Sequence, residues 1–196
     1  MGQVPASAIP TDEALMAQVR DGDLRKLALL FERHHRSLYN FFRHMNGNAD
    51  LSQDLTQEVF FRILRYRHSF DQTRSYSAWM YQIARNTNTE AAHKRRGELR
   101  LLSNSEDDEP LEPASGTPGI EETLGRRQEI RLLRQAMEQL PSEKRELLIL
   151  SRFQNLKYQS IAEILGCEVG AVKVRVYRAV QALGRIYLEL SGEKAS

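Results

Sequence analysis

Residues 157–183 read KYQSIAEILGCEVGAVKVRVYRAVQAL, and the fold is decided here. Tyr158 to Leu165 places Ile161, Ala162 and Leu165 at helical spacing on one inward side. Gly166 follows, the residue that most easily takes the left-handed backbone of a tight helix-to-helix turn. Val172, Val176, Ala179, Val180 and Leu183 then recur at i, i+4, i+7, i+8 and i+11, the expected buried stripe of a longer helix. Its other sides carry Ala171, Lys173, Val174, Arg175, Tyr177, Arg178 and Gln181. A short helix, a tight turn and a long basic helix make a helix-turn-helix. Small residues near the start of the second helix, with Arg and Lys behind them, suit a helix laid in the major groove of DNA. Arginine reads guanine edges bidentately, and both cations hold phosphates. The plainer alternative is a helical hairpin whose cationic face is only solvated.

Helical spacing continues on both sides of this motif. Leu51, Leu55, Val59 and Ile63 repeat every four residues, with Phe60 and Leu64 widening the stripe. Ile130, Leu133, Met137 and Leu140 form a second one, and no alternating run is long enough for a strand. The expected fold is all-α. Helices are expected at about 12–21, 24–46, 51–66, 76–97, 121–139, 142–153, 157–165 and 169–189. Asn46-Gly47-Asn48 closes the second, Ser52 or Asp50 caps the third, and Pro141 with Ser142 opens the sixth.

The middle of the chain has another character. Residues 103–119 read SNSEDDEPLEPASGTPG, with three prolines and almost nothing apolar. Such a composition cannot offset the entropy of ordering, so a flexible acidic linker is expected over 98–125. It joins two small helical domains, 11–97 and 126–190. The net charge of the 196 residues is only +2, yet residues 1–97 carry +4, residues 98–125 carry −7 and residues 126–196 carry +5. Two basic blocks flanking an acidic bridge point to polyanionic partners at both ends.

Other classes are excluded on composition. No apolar run reaches the ~18–20 residues of a membrane span, and Met1-Gly2-Gln3-Val4-Pro5-Ala6 has neither a secretory signal nor a myristoylation site. Cys167 is the one cysteine, which excludes a disulfide framework and suits a reducing cytoplasm. The histidines His34, His35, His44, His68 and His93 show no metal-ligand spacing, and there is no P-loop or dinucleotide turn. No catalytic residue, metal, cofactor or small-molecule substrate is expected.

The first domain holds a second cluster. Phe60, Phe61, Tyr66, Phe70, Tyr76, Trp79 and Tyr81 interleave with Arg62, Arg65, Arg67, Arg74, Arg85, Lys94, Arg95 and Arg96. Rings for unstacked bases and charges for the backbone are what single-stranded nucleic acid requires. The alternative is packing, which should claim about half of these rings, Phe60, Trp79 and Ile83 being at helical spacing. Opposite the Leu/Val/Ile stripe lie Asp54, Gln57, Glu58, Phe61 and Arg65. A large apolar residue in that polar setting favours a protein contact.

DLTQEVFFRIL (54–64), SAWMYQIARN (77–86), HKRR (93–96) and LPSEKRELLIL with YQSIAEILGCEVGAVKVRVYRA (140–150 and 158–179) together resemble the extracytoplasmic-function (ECF) sigma factors of bacterial RNA polymerase. The resemblance implies sigma region 2 in the first domain, sigma region 4 in the second, and no enzymatic activity. Asp54, Gln57, Glu58, Phe61 and Leu64 match the helix that docks on the β′ clamp helices of core polymerase, and the β flap is a further implied contact. Residues 66–76, with Arg74 and Tyr76, match the loop that captures a flipped base of the minus-ten element. Trp79, Arg85, Asn86 and Glu90, with the basic end Lys94, Arg95 and Arg96, match the helix that opens and holds that strand. Ala171, Lys173, Val174, Arg175, Tyr177 and Arg178 match the helix that reads the minus-thirty-five duplex. An anti-sigma protein is a partner class that the resemblance admits. The chain departs from the common family residues at Glu90, His93, Glu168, Ala171 and Val174, which should alter promoter preference and leave the mechanism intact. A stand-alone regulator binding duplex DNA through residues 157–183 is the alternative; it leaves the Asp54, Gln57 and Glu58 face without a purpose.

Overall fold

The computed structural model describes residues 9–102 and 122–192. Among them the chain forms eight α-helices and no strand, as an all-α fold requires. They are α1 (Asp12–Arg20), α2 (Arg25–Asn46), α3 (Ala49–Arg65), α4 (Tyr76–Leu102), α5 (Glu122–Gln139), α6 (Ser142–Leu148), α7 (Tyr158–Leu165) and α8 (Val169–Ser191). The chain divides into two compact units, the first holding the residues up to Arg96 and the second most of those from Gly97 onward.

In the first unit, Thr11 caps α1 by accepting the Ala14 N–H at 3.2 Å. Asp12 and Glu13 follow in the first turn, where the helix dipole favours negative charge. Leu15, Met16 and Val19 are fully buried and seat α1 against α2. The second helix ends at Gly47, whose φ of 72° is the left-handed turn that Asn46-Gly47-Asn48 announces. The cap of α3 is Asn48, not Ser52 or Asp50: its Oδ1 accepts the Leu51 N–H at 2.9 Å. Ser52 lies inside the helix, buried, with its hydroxyl turned back to the Asn48 carbonyl. Leu55, Val59, Phe60 and Ile63 are buried where α3 packs on α2; Leu51 and Leu64 are half-buried.

A 3-10 turn (Arg67–Ser69) and a loop lead into α4, which runs to Leu102. The helical backbone therefore continues through 98–102, and α5 begins at Glu122, so both edges of the expected linker are helical. Glu-Leu-Arg-Leu-Leu at 98–102 consists of strong helix formers, which explains the extension. The acidic stretch at 103–119 lies outside the described residues.

In the second unit, α8 packs on α5 and α6. The expected single helix over 142–153 changes pitch: Ile149–Phe153 form a wide π-type turn, with the Gln154 N–H on the Ile149 carbonyl at 2.9 Å. Ser151 is buried there and donates to the Leu147 carbonyl at 2.7 Å. Ala136 and Met137 are the buried side of α5, with Leu140 buried just beyond its end, whereas Ile130 and Leu133, expected on the same stripe, are exposed.

Candidate nucleic-acid and protein interfaces

On α3 the burial of Leu55, Val59 and Ile63 forces Asp54, Gln57, Phe61 and Arg65 outward on the opposite side. Phe61 is 61% exposed, a large ring left in water beside acids and an amide. Glu58 is half-buried and held in place: its Oε1 accepts from Arg62 Nε at 2.6 Å. The same guanidinium reaches α4, donating to Glu90 Oε1 at 3.0 Å and Oε2 at 2.7 Å. The bonds to Glu90, then those to Glu58, push the guanidinium pKa up. In return Arg62 holds the Glu90 carboxyl below the ordinary carboxylate range. Arg62 thus spends its charge on two carboxylates of this chain and not, as expected, on a nucleic-acid backbone. Glu90 stays exposed while both its oxygens tie α4 to α3.

The loop before α4 separates the aromatics into two groups. Phe70 is 3% exposed and its ring centroid lies 5.2 Å from that of Trp79. Tyr76 is fully buried, packed against His34, Phe70 and Trp79 at centroid distances of 5.3, 6.1 and 6.3 Å. Among the described residues its hydroxyl has no hydrogen-bond partner, and burial, helped by the negative charge of Asp12, pushes its pKa up. Tyr76 is therefore a core residue and offers no surface to DNA, contrary to the sequence expectation. Its place at the first turn of α4 turns the ring inward beneath α1 and α2. Tyr81 is also buried, its pKa pushed to about 12 by burial, with a bond to Ser37 working the other way. Trp79 is half-buried; Tyr66 is exposed, with Arg65 above its ring at 5.6 Å.

Between Phe70 and Tyr76, Asp71, Gln72, Thr73 and Arg74 are exposed. Asp71 shapes this turn by accepting from the Thr73 N–H at 2.9 Å and hydroxyl at 2.8 Å, bonds that lower its pKa. Along α4, Trp79, Asn86 and His93 stand seven residues apart and so share one line. Asn86, Lys94, Arg95 and Arg96 are exposed and Arg85 half-buried, giving a helix that turns cationic toward its far end.

The helix-turn-helix has the expected build. Ile161 and Ala162 of α7 are buried and Leu165 is half-buried. Gly166 has φ +61°, and the Cys167 N–H closes the turn on the Ala162 carbonyl at 3.0 Å. On α8, Val172, Val176, Ala179 and Ala182 are buried; Val180 is exposed and Leu183 half-buried, which corrects the expected stripe. At 100° per residue Val180 lies about 80° to one side of Val172 and Ala182 about 80° to the other. The buried face drifts toward Ala182 along the helix. Val174 (49% exposed), Arg178 and Gln181 occupy the middle of the solvent side. Lys173 and Tyr177 (66% exposed) flank it on one edge, Arg175 and half-buried Ala171 on the other. Among the described residues Lys173, Arg175 and Arg178 enter no ion pair, so their charge is free for a polyanion.

Two positioning residues were invisible in the sequence. Glu13 of α1 accepts the backbone N–H of Tyr76 at 3.0 Å, capping a helix that starts 63 residues later. Arg145 donates to the carbonyls of Glu138 and Leu140 (the latter at 3.1 Å), closing the end of α5; burial lowers its pKa. No local signal marks either pairing.

Comparison with known proteins finds a family match in each half of the chain. Residues 30–98 match the family model of sigma-70 region 2, and residues 130–183 match that of sigma-70 region 4. The chain is 31% identical over 179 residues to the RNA polymerase sigma-H factor of Pseudomonas aeruginosa, covering 89% of this chain and 92% of that protein. It is 34% identical over 150 residues to the ECF RNA polymerase sigma factor EcfG of Rhodopseudomonas palustris, with 76% and 78% covered. Against the ECF RNA polymerase sigma-E factor of Escherichia coli it is 30% identical over 178 residues, with 88% and 92% covered. The fold is similar to CnrH, solved in complex with the cytosolic domain of CnrY (TM-score 0.64, 22% identity, 89% and 96% covered). It is equally similar to the sigma factor RpoE, solved in complex with the anti-sigma factor NepR from Bartonella quintana (TM-score 0.64, 21% identity, 83% and 96% covered). With both regions matched in order and curated relatives aligned over nearly their whole length, this chain belongs to the extracytoplasmic-function group of RNA polymerase sigma factors.

Proposed function

We propose that this sigma factor divides its work among three surfaces. The outer side of α3, with Asp54, Gln57, Glu58, Phe61 and Leu64, docks on the β′ clamp helices of core polymerase. The loop through Arg74, with Trp79, Arg85, Asn86, Lys94, Arg95 and Arg96 of α4, captures and holds the single strand of the minus-ten element. Ala171, Lys173, Val174, Arg175, Tyr177 and Arg178 of α8 read the minus-thirty-five duplex. The reading is carried by one juxtaposition: an exposed ring among carboxylates on α3 and an unpaired cationic stripe on α8 in the same chain. A duplex-binding regulator has use for the second and none for the first.

Tyr76 and Glu90 enter as supports, Tyr76 by filling the base of the loop and Glu90 by bracing α4 on α3. Residues 11–97 and 126–190 act as the region 2 and region 4 domains, joined by residues 98–125, and the β flap is a further contact on core polymerase. An anti-sigma protein is a second partner class, and the site of action is the cytoplasm. Catalysis stays with the polymerase. Adding this chain to core polymerase freed of other sigma factors should yield promoter-directed transcripts from genomic fragments. No transcript above that of core alone would overturn the reading.

A further inference from the structure

Helix α1 contributes nothing to the three surfaces, yet it touches the minus-ten loop at its start, middle and end. At the start it packs against the 3-10 turn Arg67–Ser69. In the middle, with the Gln72 amide oxygen turned toward it, Arg20 Nη1 donates to that oxygen at 3.1 Å. At the end Glu13 Oε1 accepts the Tyr76 N–H at 3.0 Å, taking up one of the donors that a helix N-terminus leaves without partners. The negative charge of Glu13 also complements the dipole of α4.

The grip continues beneath the loop. Asp12 Oδ2 lies 2.7 Å from His34 Nε2 and its Oδ1 accepts from Arg33 Nη1 at 2.7 Å, which fixes α1 on α2. The His34 ring packs in turn on Tyr76. Between these anchors only Asp71, Gln72, Thr73 and Arg74 face solvent. Arg20 is occupied by Gln72 and by Asp21, so α1 presents the loop instead of binding DNA itself.

We propose that α1 is the positioning element of base recognition at minus ten. Glu13 and Arg20 hold residues 66–75 in the one shape that fits a flipped base. A loop pinned at three points presents a single pocket; a loop released at one of them samples several, and base identity is read less sharply. This inference rests on the proposed role of the loop and assigns a specificity-determining part to a helix outside it.

The test uses holoenzyme assembled from core polymerase and the full chain, with a randomised pool of single-stranded oligonucleotides as probe. The readout is the enrichment of the preferred base over the other three at the most selective position. Loss of active protein scales all four bases alike and cancels in this ratio. Glu13→Ala should lower the ratio several-fold with core affinity unchanged. Glu13→Gln, whose amide oxygen accepts the same N–H, should restore most of it. Arg20→Met, acting at the other end of α1, should lower the same ratio independently. A wild-type ratio in both Glu13→Ala and Arg20→Met overturns the proposal, as does a Gln variant no better than Ala. If the wild-type holoenzyme itself shows no base preference, the assigned role of the loop fails, and the proposal with it.

Discussion

Between Phe60 and Arg96 the rings turn mostly inward and a cation closes on carboxylates, whereas on α8 the ring and the cations turn out. Phe60, Phe70, Tyr76 and Tyr81 are buried, and Arg62 is shared between Glu58 and Glu90. Tyr177, Lys173, Arg175 and Arg178 are exposed. Both segments offer the same residue types at helical spacing. The difference lies in what surrounds them. In the first unit α3 and α4 lie among α1, α2 and a loop that needs a floor, and large rings fill that space. The buried stripe of α8 is Val172, Val176, Ala179 and Ala182, small side chains that let it pack on α5 and α6 and leave Lys173, Arg175, Tyr177 and Arg178 to solvent. An aromatic residue in a nucleic-acid-binding domain is thus a candidate contact only after packing has taken its share.

Substitution at the floor of the loop should have the largest effect. Phe70→Ala removes a buried ring and leaves a cavity beside Trp79, at a cost of about 3–5 kcal/mol. Trp79 is the one tryptophan, so its fluorescence follows the unfolding of this unit alone. A loss under about 1 kcal/mol would mean that the loop has no packed floor, since cavities of this size cost more.

On α8 the same kind of truncation should leave stability unchanged and alter binding. Arg178→Ala is expected to cost about 1–3 kcal/mol of discrimination at one position of the minus-thirty-five element, as a lost bidentate contact does. The check is holoenzyme binding to duplexes permuted at each base pair. A uniform loss across all sequences would instead make Arg178 a phosphate contact.

Glu90→Gln tests the ion pair that separates the two regions. Both partners are near the surface, so the loss at neutral pH should be modest, about 0.2–1 kcal/mol. Arg62 holds the folded-state pKa of Glu90 below its unfolded value. The stabilisation is therefore complete above the unfolded carboxylate range and fades as pH falls through the folded value. Urea titrations of both proteins should converge in acid; a gap constant with pH would place the cost outside this ion pair.

The smallest effect belongs to Tyr76→Phe. The hydroxyl is buried without a partner, so removing it should be neutral or slightly stabilising, and minus-ten opening should be unchanged. Impaired opening with normal stability would put Tyr76 back among the DNA contacts.

Much of this was legible from local pattern. The helices, the helix-turn-helix with its Gly166 turn and the outward side of α3 follow from spacing and turn residues over short windows. Features set by distant neighbours were not. Nothing near Tyr76 reveals that Glu13 will cap it, and Arg62 looks like any surface cation until α4 brings Glu90 alongside. Val180 and Ala182 exchange places in the stripe because α5 and α6 cover one flank of α8, a choice that belongs to the packing. Asn48 prevails over Ser52 and Asp50 as the cap of α3 because the glycine turn ends directly before it.

The cations of α8 and the loop before α4 are expected to open a promoter only when α3 is seated on polymerase. Separation of DNA strands costs about 1.4 kcal/mol of stacking per base step, and this chain has no nucleotide-hydrolysis motif to drive it. Permanganate reactivity of thymines on a promoter fragment reads the outcome directly. The isolated chain should give weak, salt-sensitive duplex binding and no reactive thymine. Core polymerase added to it should bring reactivity near minus ten, and Glu58→Lys, which reverses a charge on the docking side of α3, should abolish that reactivity with the helical content intact. Tight sequence-specific binding by the chain alone, with no thymine exposed on adding core polymerase, would contradict this expectation.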